Sequence, residues 1–400
     1  MFKINVFNST IQRLNSLIKP YSNQSQSNFL SEIVTTIEAI ATGVPGNVLK
    51  QTDAAKFVAS LPSIKSNQSR IEKIYKNTRI DTRHMAVDLL TDKQAAFSRQ
   101  RNTIKERMDL YREHAIPLGE KVANDAISKI DSLTIKEDIG MVVFVSSTGF
   151  VGPGVDAALI ERLGLNRNIS RVTVNFMGCA AAMNGIRVGS DFVKAYPNRK
   201  ALVVCLELSS LNAVYDDNLN DIIIHSIFGD GCAAVILGAS ERDTANSIGK
   251  IAITQHLSHL IEGTKDGITL GIEDNGITCK LSRDLPNYIE AGVNPIIESF
   301  LASNELTKED IDLWAVHPGG TKIIQKSQAS LGLTDEQVAI SWQMLNKYGN
   351  MLSVSILFVL EHMFRHLEEH QDRTNSKPLT GLGFSFSPGV GLEGILFEQL

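Results

Sequence analysis

Arg171-Val172-Thr173-Val174-Asn175-Phe176-Met177-Gly178-Cys179-Ala180-Ala181-Ala182-Met183-Asn184-Gly185 passes from a run of strand character into small, helix-forming residues, with a cysteine at the joint. Such a junction delivers a thiol to the mouth of a helix. There the macrodipole and unpaired N–H groups favour the thiolate, so the position predicts a lowered pKa and a nucleophile. Small residues on either side leave room for an acyl chain. The competing reading is a core cysteine, because free cysteine is among the most buried residue types.

Two later segments favour the nucleophile. His317 closes the run Ile311-Asp312-Leu313-Trp314-Ala315-Val316 and is followed by Pro318-Gly319-Gly320, so a strand hands an imidazole to a glycine loop. Asn350 lies in Lys347-Tyr348-Gly349-Asn350-Met351-Leu352-Ser353, just ahead of an amphipathic run that reaches about Leu367. An asparagine there can serve as a helix N-cap. A cap and a catalytic amide are compatible, since both need the side chain at a helix mouth.

With these three residues each at the end of an element, the chain resembles the thiolase-fold condensing enzymes, and most closely the type III polyketide synthases of the chalcone synthase-like superfamily. Its pattern is bacterial or algal rather than that of plant chalcone synthases. The resemblance rests on Gly178-Cys179, on Ile227-Phe228-Gly229-Asp230-Gly231-Cys232-Ala233-Ala234, on His317-Pro318-Gly319-Gly320, on Tyr348-Gly349-Asn350-Met351 and on Ser385-Phe386-Ser387-Pro388-Gly389-Val390-Gly391-Leu392-Glu393. It covers roughly residues 30–400 and is strongest after residue 140. It implies an α/β, thiolase-like αβαβα layered fold with two similar halves. Residues 1–31 would be a flexible tail, 32–245 the half carrying the cysteine, and 246–400 the half carrying His317 and Asn350.

Local patterns agree with an α/β chain. Strand-like Met141–Val145, Val172–Asn175, Ala201–Leu206 and Cys232–Leu237 alternate with helix-like Gly154–Leu163, Ala180–Ala195 and Leu219–Phe228. Thr307 and Thr334, each with an acid or amide three residues on, predict helix N-caps, and further strands are expected at Leu379–Phe384 and Gly394–Phe397. The 400 residues, 43% hydrophobic, suffice for a large core in two lobes.

Composition narrows the partners. A net charge of −5 argues against nucleic acid. Cysteines at 179, 205, 232 and 279 lack metal-type spacing and read as free thiols in a reducing cytoplasm. No apolar run reaches the roughly 18 residues of a membrane span. Residues 1–31 hold Lys3, Arg13 and Lys19 without an acid, so a tail is favoured and organelle targeting is the alternative. No Walker loop is present, and no metal, flavin or other cofactor is expected beside acyl-CoA and malonyl-CoA as substrates.

The resemblance assigns chemistry residue by residue. Cys179 carries the growing chain, while His317 and Asn350 each supply an N–H to the thioester oxygen, in the tetrahedral intermediate and in the enolate left by decarboxylation of malonyl-CoA. Phe228 falls where the family places an aromatic gate, and Cys279 replaces its partner phenylalanine. Ser147, Thr148, Ser209, Asn212, Leu270 and Leu352 fall at cavity positions, with Phe386 and Pro388 in the loop expected at the cyclisation floor. Gly152 stands where plant enzymes insert a methionine across the dimer, so a homodimer is implied. Arg70 and Lys73, and less directly Lys76, match contacts to coenzyme A phosphates; a solvated helix face is the ordinary alternative. These departures favour an aliphatic, long-chain starter and leave the ring open among phloroglucinol, alkylresorcinol and alkylpyrone. A papain-like protease has its cysteine near the mature N-terminus and in another motif. A ketoacyl-ACP synthase III-like enzyme and a non-catalytic thiolase-fold binding protein are the remaining alternatives.

Overall fold

The computed structural model describes residues 32–90, 103–242, 244, 250–274, 276–370 and 378–399. The expected tail at 1–31 and the division at 245/246 lie outside these residues. In chain order the strands are β1 (Ile33–Gly43), β2 (Asn47–Lys50), β3 (Thr82–Met85), β4 (Ile139–Ser146), β5 (Ser170–Asn175), β6 (Lys200–Leu208), β7 (Asp230–Glu241), β8 (Ile251–Leu260), β9 (Ile268–Glu273), β10 (Gly276–Leu281), β11 (Leu313–Val316), β12 (Leu379–Ser387) and β13 (Gly391–Gln399). Nine of them form one mixed sheet, in the order β11-β12-β13-β8-β1-β7-β6-β4-β5. β4 pairs in parallel with β5 and β6, and β11 with β12; the other pairings are antiparallel.

Side-chain alternation explains the layers. On β6, Leu202, Val204 and Leu206 enter one core while Ala201, Val203 and Cys205 enter another, and β4 and β7 divide in the same way. A strand buried on both faces reads as a continuous apolar run, which is why these strands were legible without a polar face. The first core is covered by the helices Ile104–Ser128 and Val155–Arg162. The second is filled by the helices Ala181–Ala195 and Ser353–His370, which also meet Ala315, Ile395 and Phe397 from the far half of the sheet. A third core packs the helices Leu285–Ala302 and Thr321–Leu331 against β8, β11, β12 and β13. The layering is therefore αβαβα, as expected.

Three local expectations need correction. Ser385, Phe386 and Ser387 belong to β12 rather than to a loop, because each pairs with β13 (Ser385 with Glu393, Phe386 with Leu392, Ser387 with Gly391). Cys179 lies in a 3-10 turn, Gly178–Ala180, ahead of the helix rather than in its first α turn. The two threonines make the expected local hydrogen bonds but do not cap α-helices: Thr307 exchanges bonds with Asp310 ahead of the 3-10 turn Lys308–Asp310, and Thr334 with Gln337 in a turn, while the helix after it begins only at Ala339.

Candidate active site

β5 ends in a tight corner. Phe176 and Gly178 both take positive φ, 58° and 59°. A Cβ on Gly178 would lie 3.0 Å from Pro388 Cδ and 3.7 Å from Leu270 Cδ1, so both conformation and space require glycine beside the cysteine. The Gly178 N–H donates to Ser147 Oγ at 3.0 Å, fixing the turn to the end of β4.

Asn350 reaches the same sulfur. Its Nδ2 stands 3.8 Å from Cys179 Sγ and donates to the Gly319 carbonyl at 3.1 Å, while its Oδ1 accepts from Leu352 N–H at 2.8 Å. That last bond forms a local turn, so Asn350 does not act as the expected N-cap of the helix that begins at Ser353. It also supports Leu352, which takes a positive φ of 49° that costs about 1 kcal/mol or more in a branched residue.

His317 is brought to this centre through its own glycine loop. Its ring is 1% exposed, and among the described residues neither nitrogen has a partner. A Cβ on Gly319 would come within 3.1 Å of His317 Nε2, so the glycine whose carbonyl receives Asn350 also makes room for the imidazole.

Burial dominates the electrostatics. It pushes the Cys179 thiol well above its ordinary pKa, with the nearby Cys279 sulfur adding to the rise and the Asn350 amide opposing it. Burial pushes His317 down to about 3. This direction is opposite to the thiolate expected at a helix mouth: desolvation around the half-buried sulfur acts against the favourable end of the helix that follows. Iodoacetamide inactivation of the resting protein should accelerate by about tenfold per pH unit between pH 6 and 9, as the thiolate fraction does. A rate that is flat across that range would show a pre-formed thiolate–imidazolium pair instead.

A cavity of about 40 Å³ is lined by the expected Ser147, Thr148, Ser209, Asn212, Phe228 and Leu270 and by Cys279 and Leu352; Cys179, His317 and Asn350 are not in its wall, though Ser147 and Leu352 are hydrogen-bonded to Gly178 and Asn350. Phe386 and Pro388 are not among its lining. Phe386 is buried edge-on against Phe384, and Pro388 contacts the cysteine turn. A second cavity, a groove of about 400 Å³, runs along Ile74, Ile227, Leu281, Pro286 and Gly319. Its lining takes Asn77 and Thr78 from the basic segment but not Arg70, Lys73 or Lys76, which are exposed. Asn350 touches neighbours of both spaces: its backbone bridges to Phe228, with Asn350 N–H donating to Ile227 O and Gly229 N–H donating to Asn350 O, each at 2.9 Å.

Several supporting groups escaped the sequence reading. Glu207 is fully buried beneath the turn, where it accepts from Ser147 N–H at 2.9 Å, Thr148 Oγ1 at 2.7 Å and Ser353 Oγ at 2.7 Å; burial nevertheless raises its pKa to about 7. Arg83, equally enclosed, donates to the carbonyls of His225 at 2.6 Å and Phe228 at 2.7 Å, closing the end of the Leu219–Ile227 helix. Asp221 and His225 line the smaller cavity from that helix. An acid inside the apolar runs Ala201–Leu208 and Asp221–Ile224 was the available signal; Arg83 had none.

Models of the chalcone and stilbene synthases match twice, the N-terminal domain over residues 22–241 and the C-terminal domain over residues 252–400. The chain belongs to the chalcone and stilbene synthase family. Its members are the type III polyketide synthases, and the chain is accordingly an acyl-CoA-dependent acyltransferase of that class. It is 48% identical over 365 residues to the "Alpha-pyrone synthesis polyketide synthase-like Pks18" of Mycobacterium tuberculosis, covering 91% of each chain. Among solved structures it is similar to PKS-I of the brown alga Ectocarpus siliculosus (TM-score 0.88, 42% identity, 94% of this chain and 100% of that one). It also resembles the C-terminal domain of Steely1 from Dictyostelium (TM-score 0.82, 26% identity, 92% and 99%). The bacterial and algal likeness of this type III polyketide synthase matches the sequence reading. Among the described residues no helix is long and apolar enough to cross a membrane.

Proposed function

We propose that this type III polyketide synthase loads an aliphatic acyl group on Cys179, extends it with malonyl-CoA two or three times and releases an alkylpyrone. The observation that carries the reading is the contact of Asn350 with the Cys179 sulfur, beside a buried imidazole with both nitrogens unpartnered. In this reading His317 acts as the base: the imidazole takes the thiol proton as the sulfur attacks the thioester carbonyl, and returns it to the coenzyme A sulfur as that thioester's carbon–sulfur bond breaks. Asn350 Nδ2 and the resulting His317 N–H then donate to the thioester oxygen, and again to the enolate oxygen when a bound malonyl group loses carbon dioxide.

The larger groove is the passage for coenzyme A in this reading, and Phe228 with Cys279 forms the gate to the smaller cavity. Arg70 and Lys73, with Lys76 beyond them, belong to the helical segment whose Ile74, Asn77 and Thr78 border that groove, which supports a phosphate contact at its rim. Walls of Val214, Ile224, Leu270, Ile277 and Leu352 suit a file of methylenes better than a broad aromatic ring. Pyrone closure is supported by the name of the mycobacterial relative. Among the described residues β5 pairs on one side only, and its other edge offers a place for a second copy to dock and form a homodimer. Four unpaired cysteines suit a reducing cytoplasm, and the division into halves at 32–245 and 246–400 remains our reading of the sheet.

Supplying hexanoyl-, lauroyl-, palmitoyl- or coumaroyl-CoA together with malonyl-CoA tests the reading by mass spectrometry of the products. Pyrones from the longer aliphatic starters are expected, with kcat/KM at least about tenfold above coumaroyl-CoA. A preference for coumaroyl-CoA would remove the aliphatic assignment.

A further inference from the structure

The charge lining the larger groove points to two phosphate-binding residues outside the basic segment at 70–79. Arg283 and Lys322 are the charged residues of that lining, and no acid accompanies them, although the chain as a whole is acidic by five charges. Both are exposed, and neither makes an ion pair or hydrogen bond among the described residues. The backbones that carry them are fixed. Arg283 sits in the turn between β10 and the Leu285–Ala302 helix, where Ser282 N–H donates to Gly267 O at 2.9 Å and Leu285 N–H to Ser282 O at 3.2 Å. Lys322 sits in the first turn of the Thr321–Leu331 helix, where Ile323 and Ile324 N–H donate to Gly320 O at 3.1 and 3.2 Å.

The rest of the groove is uncharged: apolar Ile74, Ile223, Ile227, Leu281 and Leu285 alternate with hydroxyl and amide groups, and the lining includes Gly319, whose carbonyl receives the Asn350 amide. A ligand that fits is therefore slender and weakly polar at one end and multiply anionic at the other. We infer that Arg283 and Lys322 hold the phosphates of the coenzyme A thioesters while the pantetheine arm follows the uncharged floor toward Cys179. The inference rests on reading this groove as the coenzyme A passage. The fit is chemical: a guanidinium binds two phosphate oxygens in a fixed fork, and an ammonium adds a flexible point charge. Both act before the chemical step and away from the reacting atoms, so they are positioning residues that set KM.

The test compares the wild type, Arg283→Ala/Lys322→Ala and Arg70→Ala/Lys73→Ala in the decarboxylation of malonyl-CoA and of malonyl-N-acetylcysteamine, a thioester without phosphates. For Arg283→Ala/Lys322→Ala the KM for malonyl-CoA should rise at least about tenfold with kcat within about twofold, as expected for losing two charge-assisted contacts. Its kinetics with malonyl-N-acetylcysteamine should stay at the wild-type level, which also establishes that the variant is folded. Titration of adenosine 3′,5′-bisphosphate by calorimetry should show a matching loss of affinity. An unchanged KM for malonyl-CoA, or a rise confined to Arg70→Ala/Lys73→Ala, would overturn the inference. A wild type that decarboxylates neither thioester would sink the catalytic reading instead. In that event the bisphosphate titration alone decides the phosphate assignment, with equal affinity of wild type and Arg283→Ala/Lys322→Ala counting against it.

Discussion

Cys179→Ala should leave no acyl adduct on the protein and lower polyketide formation by at least about ten-thousand-fold, the scale on which loss of a covalent nucleophile acts. The substitution removes one sulfur from a site whose remaining parts are held by other elements: Asn350 by its pairing to Ile227 and Gly229, and His317 by β11. Decarboxylation of malonyl-CoA alone should therefore survive, because it needs the two donors and not the thiol. Intact-protein mass spectrometry after exposure to acyl-CoA reads the first effect, and release of carbon dioxide reads the second. Persistent chain extension from acyl-CoA in this variant would exclude a cysteine-bound intermediate.

His317→Ala should reduce both loading and decarboxylation by about 10³-fold, since the imidazole is asked to serve as base in one step and as donor in the other. The contrast with His317→Gln separates these roles. A glutamine keeps an N–H but cannot take the thiol proton, so it should recover a large part of the decarboxylation while loading stays at the alanine level. The ring is buried without partners, so its removal strands no hydrogen-bonding group and a near-native melting temperature is expected. Equal loss of decarboxylation in the two variants would show that the imidazole does not donate to the enolate oxygen.

Much of this architecture was legible because the chain states it locally. Val142 to Val145 and Leu202 to Cys205 are apolar at every position, as strands covered on both faces must be. Gly178, Gly319 and Gly349 could be read as punctuation around reactive side chains, and the space a Cβ would need at each explains why. The ionisation state was not legible. A helix mouth is visible in a sequence, but the desolvation that raises the Cys179 thiol and lowers the His317 imidazole comes from residues scattered over the chain. The same holds for Glu207, which looks like a stray acid in a strand until Ser147, Thr148 and Ser353 converge on it. Charge at the groove was only partly legible for a related reason. A helix dense in Arg and Lys is conspicuous in one dimension, whereas Arg283 and Lys322 are isolated along the chain and become neighbours of one space only after folding.

The backbone bridge between Phe228 and Asn350, clamped by Arg83 at the Phe228 carbonyl, has an evolutionary corollary. Entrance and reaction centre share one rigid frame here, so reshaping the doorway from the Phe228 side would drag the amide off the sulfur. Selection for new substrates is left with the side chains of the opposite jamb, where Cys279 and Leu270 face each other across a hairpin outside the main sheet that Asn220 ties to the same helix through the Cys279 carbonyl.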